Sequence, residues 1–310
     1  MNVPGEPPKS AEQYRTQTHG DVDGRFTFPA FRNLLSDQDP KTFVRAIEHV
    51  DGDTATTVAA VVGRITDDGS TAKLLSVLVD AAHRQKGLAS TLVHQFLEWA
   101  CANCAAAEMR YTTRGQHVPA MEALLAKTKW PSPQTSMIFT RADPVRFLTQ
   151  DWVQRQLARE PRSAEPFSWE EITPTQRASI ARRVEAGSIP SEVSPLWDEE
   201  NIVPDISIGL RRGDEVVGWM VCHTIPALPR YIRYSRSFAS IQQDARGNGP
   251  WLMAHAVQRH VKSSIFQQNP RAMFDLLPDN KPMMMLFDKR MRDYMDEVYD
   301  LRISQMTFNS

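Results

Sequence analysis

Apolar residues recur along the first half of the chain with two different spacings, one typical of strands and one typical of helices. Turn signals at 51–53 and 67–70 separate the first three apolar runs, which predicts an antiparallel meander. The predicted elements are strands over 42–50, 56–65 and 74–79, a helix after residue 87, a strand over 109–113, a helix over 118–127 and closing strand material over 135–140. The strand over 109–113 is expected to pair in parallel with the strand over 74–79, because a crossover helix joins them.

The second half repeats this order of elements without obvious sequence identity. Its predicted elements are a helix over 175–186, strands over 205–210, 215–224 and 231–241, a helix over 250–261, a strand over 271–277, a helix over 281–290 and closing strand material over 298–308. The repetition predicts an α/β (α+β) protein with two tandem domains. Each domain is expected to hold a mixed, mostly antiparallel sheet flanked by helices.

Composition between these elements suggests where the domains begin and end. The first 24 residues are polar and contain proline, and residues 143–166 mix charges, glutamine and proline. We therefore expect a disordered lead-in over 1–24, a first domain over 25–142, an interdomain helix and linker over 143–166, and a second domain over 167–310. A chain of 310 residues with 41% apolar residues is long enough for two such cores.

The net charge and the cysteine content indicate which binding partners and which cellular compartment to expect for this protein. The net charge is −1, so no nucleic-acid or membrane partner is expected from bulk electrostatics. Three cysteines argue against a disulfide framework and favour a reducing cytoplasm. Cys101 and Cys104 are three residues apart and could chelate a metal or form a redox pair, but small buried residues are the preferred interpretation, and no metal site is expected.

The stretch from Leu74 to Val93 concentrates the candidate chemistry. An apolar strand runs into the basic turn His83-Arg84-Gln85-Lys86-Gly87, and helical periodicity begins directly after it. Glycine allows a tight turn and close approach of a ligand, and the first helical turn presents free N–H groups at the positive end of the helix dipole. With two cations beside it, this arrangement favours a phosphate or pyrophosphate ligand. The alternative is an ordinary turn whose charges are solvated.

The pattern Val79-x-x-x-x-Arg84-x-x-Gly87-x-Ala89 resembles the acetyl-CoA motif of the GCN5-related N-acetyltransferases (GNAT superfamily). The resemblance implies two tandem GNAT-like domains, acetyl-CoA as acyl donor and no metal. It also implies that main-chain amides from Gln85 to Ser90 hold the pyrophosphate, while the backbone near Leu78 and Val79 pairs with the pantetheine arm. The implied cofactor-binding residues are Leu78, Val79, Arg84, Gln85, Lys86, Gly87, Leu88, Ala89 and Ser90.

The second half contains a weaker copy of this motif. Gly247 and Gly249 correspond to Gly87 and Ala89, but Asp244 occupies the position where the family has arginine or glutamine. A carboxylate beside a pyrophosphate is unfavourable by about 1 kcal/mol or more at short range. We therefore expect the first half to bind acetyl-CoA and the second half to be degenerate.

The catalytic residues are harder to predict. By resemblance, a tyrosine in the helix after the fifth strand protonates the departing thiolate, but Leu125 and Phe287 stand at the corresponding positions. Possible substitutes are Tyr111 or Tyr294 as acid, and His83, His117 or Glu108 as base. Each also has an ordinary interpretation: a packed aromatic for the tyrosines, a surface polar residue for the histidines and a strand-flanking charge for Glu108.

These observations favour an N-acyltransferase that transfers an acetyl group to a small amine by direct attack on the thioester. The missing tyrosines favour an alternative, a non-catalytic acyl-CoA-binding sensor or interaction protein. A third hypothesis is acetylation of a protein or an RNA, although no basic stripe supports the RNA version. The acceptor, the acyl chain length and the oligomeric state stay open.

Overall fold

The computed structural model describes residues 13–18, 22–36, 39–240 and 247–308. The chain forms two compact units, one made of Met1–Ser136 with Leu301–Ser310 and the other of Met137–Asp300. Both units contain a mixed, mostly antiparallel sheet flanked by helices, which confirms the predicted fold class. In the described residues, no helix combines the length and apolar character needed to cross a membrane.

The first unit is built on a sheet whose strands follow one another in space in the order β1-β2-β3-β4-β5, with the last strand of the chain, β12, beside β5. β4 and β5 are parallel, as predicted, and helix α1 connects them. The elements are β1 Gln13–Thr18, β2 Thr42–Asp51, β3 Thr54–Ile65, β4 Thr71–Val79, α1 Leu88–Asn103, β5 Ala106–Thr112, α2 Val118–Lys127 and β12 Met295–Thr307, of which residues from Leu301 onward belong to this unit.

Helix α1 packs its apolar face onto this sheet. Leu92, Val93, Phe96 and Ala100 are completely buried and belong to one core cluster with β3 and β4. Gly63 of β3 lies directly under the Phe96 ring, and a Cβ atom there would overlap it. The helix can approach the sheet this closely because glycine has no side chain at that point.

The elements of the second unit are β6 Gln134–Ala142, α3 Pro144–Leu148, α4 Asp151–Leu157, β7 Glu165–Ser168, α5 Pro174–Glu185, β8 Ile208–Arg212, β9 Glu215–Thr224, β10 Tyr231–Ala239, α6 Asn248–Lys262, β11 Arg271–Leu276 and α7 Lys281–Leu286. The strands follow one another in space in the order β6-β11-β10-β9-β8-β7. β10 and β11 are parallel, and the other neighbouring strands in this order pair antiparallel. A π-helical segment, Phe287–Met291, follows α7.

The N-terminal stretch differs from the expected loose lead-in over 1–24. Residues Gln13–Thr18 form β1, which pairs antiparallel with β2, and a 3₁₀ turn begins at Gly24. Arg15 reinforces the pairing through an ion pair with Glu48 of 2.7 Å. β1 is an edge strand held mainly by main-chain hydrogen bonds, which polar residues can form as well as apolar ones. Residues 1–12 of the predicted lead-in lie outside the described residues.

The predicted domain boundaries stay a prediction, and the compact units divide the chain differently. β6, assigned to the first domain over 25–142, pairs with β11 and belongs from Met137 to the second unit. The end of β12, assigned to the second domain over 167–310, pairs with β5 in the first unit. The linker over 143–166 forms α3, α4 and the start of β7. Pro166 is tolerated in β7 because this is an edge strand.

Candidate functional site

The loop between β4 and α1 has the backbone geometry of a ligand-binding turn. Gln85 and Gly87 both have positive φ values, +62° and +84°. Gly87 is the N-cap of α1, and apart from its own chain neighbours no atom of the described chain lies within 4 Å of the position where its Cβ would stand. The left-handed conformation favours glycine here, and the space beside it is open to a ligand.

The first turn of α1 offers main-chain donors at this point. The first hydrogen bond of the helix runs from Thr91 N to Gly87 O, at 3.0 Å. The amides of Leu88, Ala89 and Ser90 therefore precede the helical ladder and have no acceptor within it. Leu88 and Ser90 are 7% and 9% exposed, so their burial holds the first turn in place. The helix dipole adds partial positive charge at the same place.

Two cations flank these amides. The side chains of Arg84, Gln85 and Lys86 are exposed. Arg84 Nε donates to Val79 O at 3.1 Å and ties the loop to the end of β4. Lys86 Nζ donates to the Tyr14 hydroxyl at 3.1 Å. An anion at the N-terminus of α1 would therefore lie in a field set by the dipole and by both side chains.

A cluster of one tyrosine and two histidines, which no sequence motif predicted, borders the loop. The Tyr14 hydroxyl lies 3.0 Å from Nδ1 of His83, and the rings of His49 and His83 have centroids 5.1 Å apart. Tyr14 comes from β1 and His49 from β2, where they are directly paired. No local signal could have found this cluster, because its members are brought together by strand pairing between distant segments. His83, which the sequence placed in the loop, is therefore held by a hydrogen bond.

Beyond this loop, β4 separates from β5. The parallel pairs run from Thr71 with Ala106 to Leu74 with Met109, and in the described chain none follows. β4 continues to Val79 paired with β3, and the register shift at Leu75 is a β-bulge. On the side of β5, the main chain around Leu78 and Val79 therefore has no strand partner in the described chain, although the Val79 carbonyl oxygen accepts from Arg84. Such an edge can add an extended ligand through main-chain hydrogen bonds.

Glu108, a predicted catalytic carboxylate, is already paired. Its side chain is 9% exposed, and its two oxygens accept from Arg110 Nε at 2.7 Å and Arg110 Nη2 at 3.2 Å. Glu108 and Tyr111 are three positions apart on β5, so they face opposite sides of the sheet. In this arrangement the Glu108 carboxylate would accept a proton while it is also paired with the Arg110 guanidinium.

Tyr111 is 7% exposed and packs in the core cluster under α1. Its hydroxyl donates to Glu122 Oε1 of α2 at 3.0 Å, and Glu122 also pairs with Arg302 of β12. Burial, followed by the hydrogen bond to Glu122, raises the pKa of the Tyr111 phenol. Tyr111 is therefore a neutral hydroxyl whose proton is already donated to a carboxylate.

His117 is exposed at the N-cap of α2. Among the described residues, no hydrogen bond joins His117, Tyr111 and Glu108 to one another. Leu125 and Phe287, at the positions of the family's tyrosine, are 1% and 0% exposed and belong to the cores of their units. The structure thus brings the predicted loop residues together with the free end of β4, but does not assemble the three predicted catalytic residues.

The corresponding helix of the second unit, α6, also begins at a left-handed glycine, but other residues of the chain contact its first turn. Gly247 is the N-cap of α6 with φ +92°. Its carbonyl oxygen accepts from Arg159 Nη2 at 2.6 Å, and the Asn248 side chain exchanges two hydrogen bonds with the main chain of Arg162. The segment after α4 therefore occupies this helix start, while Asp244 lies outside the described residues. In the described part of the chain, no three histidine, cysteine or acidic side chains form a metal-binding group.

The sequence matches one family model. Residues 9–124 match the acetyltransferase (GNAT) family, a segment that contains β1 to β5, the loop and most of α2. The sequence matches no curated protein.

Two solved structures have a similar fold over almost the whole chain. One is a tandem GNAT protein from the clavulanic acid biosynthesis pathway, in a structure without AcCoA, with 14% identity, a TM-score of 0.57, and coverage of 90% of this chain and 87% of that one. The other is the GCN5-related glucosamine N-acetyltransferase region of a fungal multi-domain GH3 β-N-acetylglucosaminidase, with 12% identity and a TM-score of 0.59. The similarity covers 96% of this chain and 38% of that protein.

Proposed function

We propose that this chain, whose residues 9–124 match the acetyltransferase (GNAT) family and whose fold is similar to that of a tandem GNAT protein, transfers an acetyl group from acetyl-CoA to the amine of a small molecule. The observation that carries the proposal is the position of two binding features next to each other in the first unit. The Gly87 N-cap of α1 offers donors to an anion, and the unpaired end of β4 offers main-chain groups to an extended arm. Acetyl-CoA has both parts, a pyrophosphate and a pantetheine arm.

The proposed roles follow from this geometry. The amides from Gln85 to Ser90 bind the pyrophosphate, and Arg84 and Lys86 add positive charge beside it. The main chain of Leu78 and Val79 pairs with the pantetheine arm and polarises the thioester carbonyl. In this proposal the thioester carbon lies at the gap between β4 and β5, where an amine can approach it. Holding the two reactants in one place supplies much of the rate.

Acetyl-CoA supplies an activated acyl group. The amine nitrogen attacks the carbonyl carbon, a C–N bond forms and the C–S bond breaks. The amine loses one proton and the thiolate gains one. Glu108, acting through water, and the exposed His117 stay the proposed groups for these proton transfers. Tyr111 was the third candidate, but its hydroxyl is already donated to Glu122, so we expect proton transfer not to depend on it.

A second candidate function is binding of acyl-CoA without turnover, as a sensor or interaction protein. The observation in its favour is Leu125, which is 1% exposed at the position of the family's tyrosine and cannot donate a proton. The Tyr111 hydroxyl is engaged with Glu122, so it does not obviously replace that tyrosine. Both candidates use the same loop, and they differ only in whether thiol is released.

We also propose a cytoplasmic location. Cys101, Cys104 and Cys222 are all free thiols, which fits a reducing compartment.

Acetyl-CoA binding by the purified chain tests the site. We expect acetyl-CoA to raise the unfolding temperature, and Gly87→Glu to abolish this effect, because the new side chain places a negative charge at the pyrophosphate position. Gly69→Glu is the matched control. Gly69 also has a positive φ, +75°, and no atom within 4 Å of its Cβ position, but it lies in the turn between β3 and β4. It carries the same backbone strain and charge change.

Thiol release then separates the two candidate functions. The protein is mixed with acetyl-CoA and a panel of small amines that includes glucosamine, the acceptor named for one protein of similar fold. Release that depends on an amine and disappears in Gly87→Glu supports the transferase. Binding without release for any amine supports the sensor. Equal loss of binding in both glutamate variants, or no binding by the unaltered protein, refutes the assignment of the loop.

A further inference from the structure

The second unit contains a cavity of about 270 Å³ that the proposed acetyl-CoA site does not use. It lies beside the ends of β10 and β11 and the start of α7. Much of its wall is apolar and flexible, and the residues that form this part are Met220, Met253, Met283, Phe274 and Leu276. Its size is near the lower end of the range for small-molecule pockets. Methionine side chains adapt to irregular apolar ligands.

One wall of this cavity is polar and charged. Arg236 and Asp275 both line it. Arg236 Nη1 donates to Glu192 O at 2.8 Å, and its guanidinium stacks on the Trp197 ring at 4.3 Å from the centroid. The Nε atom of Arg236 is buried and has no hydrogen-bond partner in the described part of the chain. A buried donor without a partner is unfavourable unless something supplies an acceptor.

The buried charges of this wall do not balance. Asp275 Oδ2 pairs with Arg233, and the Asp275 side chain is 8% exposed. Its Oδ1 atom is buried without a hydrogen-bond partner in the described chain, and burial raises the pKa of this carboxyl group. Arg236 adds a second guanidinium without a second buried carboxylate. Glu192 also lines the cavity, but its side chain is exposed and its attraction is weakened by solvent.

The surroundings of Arg236 disfavour its charged form. Burial, followed by the nearby Arg233, lowers the pKa of Arg236, and the carboxylates of Asp275 and Asp198 act in the opposite direction. Burial also lowers the pKa of His223, which bonds to Ser235 at 2.6 Å, so this imidazole adds no further positive charge beside Arg236. The position is suited to a negative group that pairs with the Arg236 guanidinium.

We propose that this cavity binds a small organic molecule with a carboxylate and an apolar body. The carboxylate pairs with Arg236, and the apolar body packs against Met220, Met253 and Met283. The carboxylate of Asp275 pairs with Arg233 and makes no hydrogen bond to Arg236 in the described chain. The inference does not depend on acetyl transfer, because every lining residue belongs to the second unit and the acetyl-CoA loop belongs to the first.

Matched ligands test the head group. Calorimetric titration of the full chain uses linear carboxylates from butanoate to octanoate, together with the amide and the amine of each chain length. We expect saturable binding of at least one carboxylate, and binding of its amide and amine weaker by about tenfold or more, the size of one hydrogen bond to a charged group. No saturable binding of any carboxylate, or equal binding of carboxylate and amide, refutes the proposal.

Two variants place the ligand in the cavity. Arg236→Met removes the guanidinium, and Met283→Trp fills the apolar part from α7 without altering the charged wall. We expect each to weaken carboxylate binding by about tenfold or more. Arg182→Met, an exposed arginine of α5, is the control and should bind as the unaltered chain does. If Arg236→Met does not fold, Met283→Trp decides, and unchanged binding in that variant refutes the location. Acetyl-CoA binding is measured on the same samples, so failure of one proposal does not affect the other.

Discussion

Replacing Tyr111 by phenylalanine separates a catalytic tyrosine from one that only holds the fold. The substitution removes one hydroxyl and leaves the ring in its core cluster. Glu122, which accepts the hydroxyl proton, keeps its ion pair with Arg302 and has a side chain that is 38% exposed. The carboxylate is therefore not left buried without a partner, and the loss of stability should be that of one ordinary hydrogen bond, about 1 kcal/mol.

The expected result is a small loss of stability and no loss of activity. A decrease of about 1 kcal/mol corresponds to a fall of roughly 2–4 °C in unfolding temperature for a domain of this size. A general acid usually contributes about 10²–10⁴-fold to the rate, so its removal could not be missed. Because the Tyr111 hydroxyl is already donated to Glu122, we expect the amine-dependent rate of thiol release to stay the same.

The assay combines thermal unfolding with thiol release on the same preparation. Tyr294→Phe is the control, since Tyr294 packs partly buried against the second core and has no hydroxyl hydrogen bond in the described structure. It should change neither quantity. A hundredfold slower release in Tyr111→Phe, with unchanged unfolding temperature and unchanged acetyl-CoA binding, would refute our reasoning and make Tyr111 the acid.

The pH dependence gives a second check. The pKa of Tyr111 is raised in the folded protein, so its neutral form is favoured, and this stabilisation is fully present below the unfolded pKa of about 10. It is lost as the pH rises through the folded pKa. The difference in unfolding temperature between the unaltered chain and Tyr111→Phe should therefore be constant near neutral pH and should shrink only above about pH 10. A difference that shrinks well below that pH contradicts the raised pKa.

Three further predictions concern packing, the anion site and pH. Gly63→Ala should lower the free energy of unfolding by about 1–3 kcal/mol in urea titrations, because its Cβ overlaps the Phe96 ring, and Phe96→Leu in the same chain should recover part of this loss. Lys86→Met should weaken acetyl-CoA binding about two- to fivefold in calorimetry, with less salt dependence, and an unchanged salt dependence would exclude Lys86 from the site. The pKa values of His223 and His260 are lowered by burial, so their neutral forms stabilise the fold above the unfolded pKa of about 6.5. Stability should fall as the pH drops below that value, and His260→Gln should flatten the urea-measured profile.

Local sequence patterns predicted most of the elements and the loop. The strand before the loop, the left-handed Gly87 and the helix after it are all decided by neighbouring residues, so their order was readable without a structure. The same holds for α2, predicted over 118–127 and observed as Val118–Lys127. Turn residues and hydrophobic period act over a few positions, which is the range that a single sequence reports reliably.

Contacts between distant segments were not readable in this way. β1 has a polar sequence and is a strand only because β2 offers it an edge. The predicted catalytic side chains were chosen by residue type, yet their partners, such as Glu122 for Tyr111, come from other elements. The charged wall at Arg236 gave no motif, because Arg236, Asp275 and Glu192 are far apart in the chain.

Local patterns were therefore enough to predict the α/β class, the repeated order of elements and the turn before α1 that we propose as an anion site. Long-range packing was needed to show that the end of β12 completes the first unit, that β6 belongs to the second, and that β4 leaves β5 after Leu74. The physical reason is the same in each case. Turns and helix starts are set by local backbone preferences, whereas strand partners and buried charge pairs are selected by competition among all segments of the folded chain.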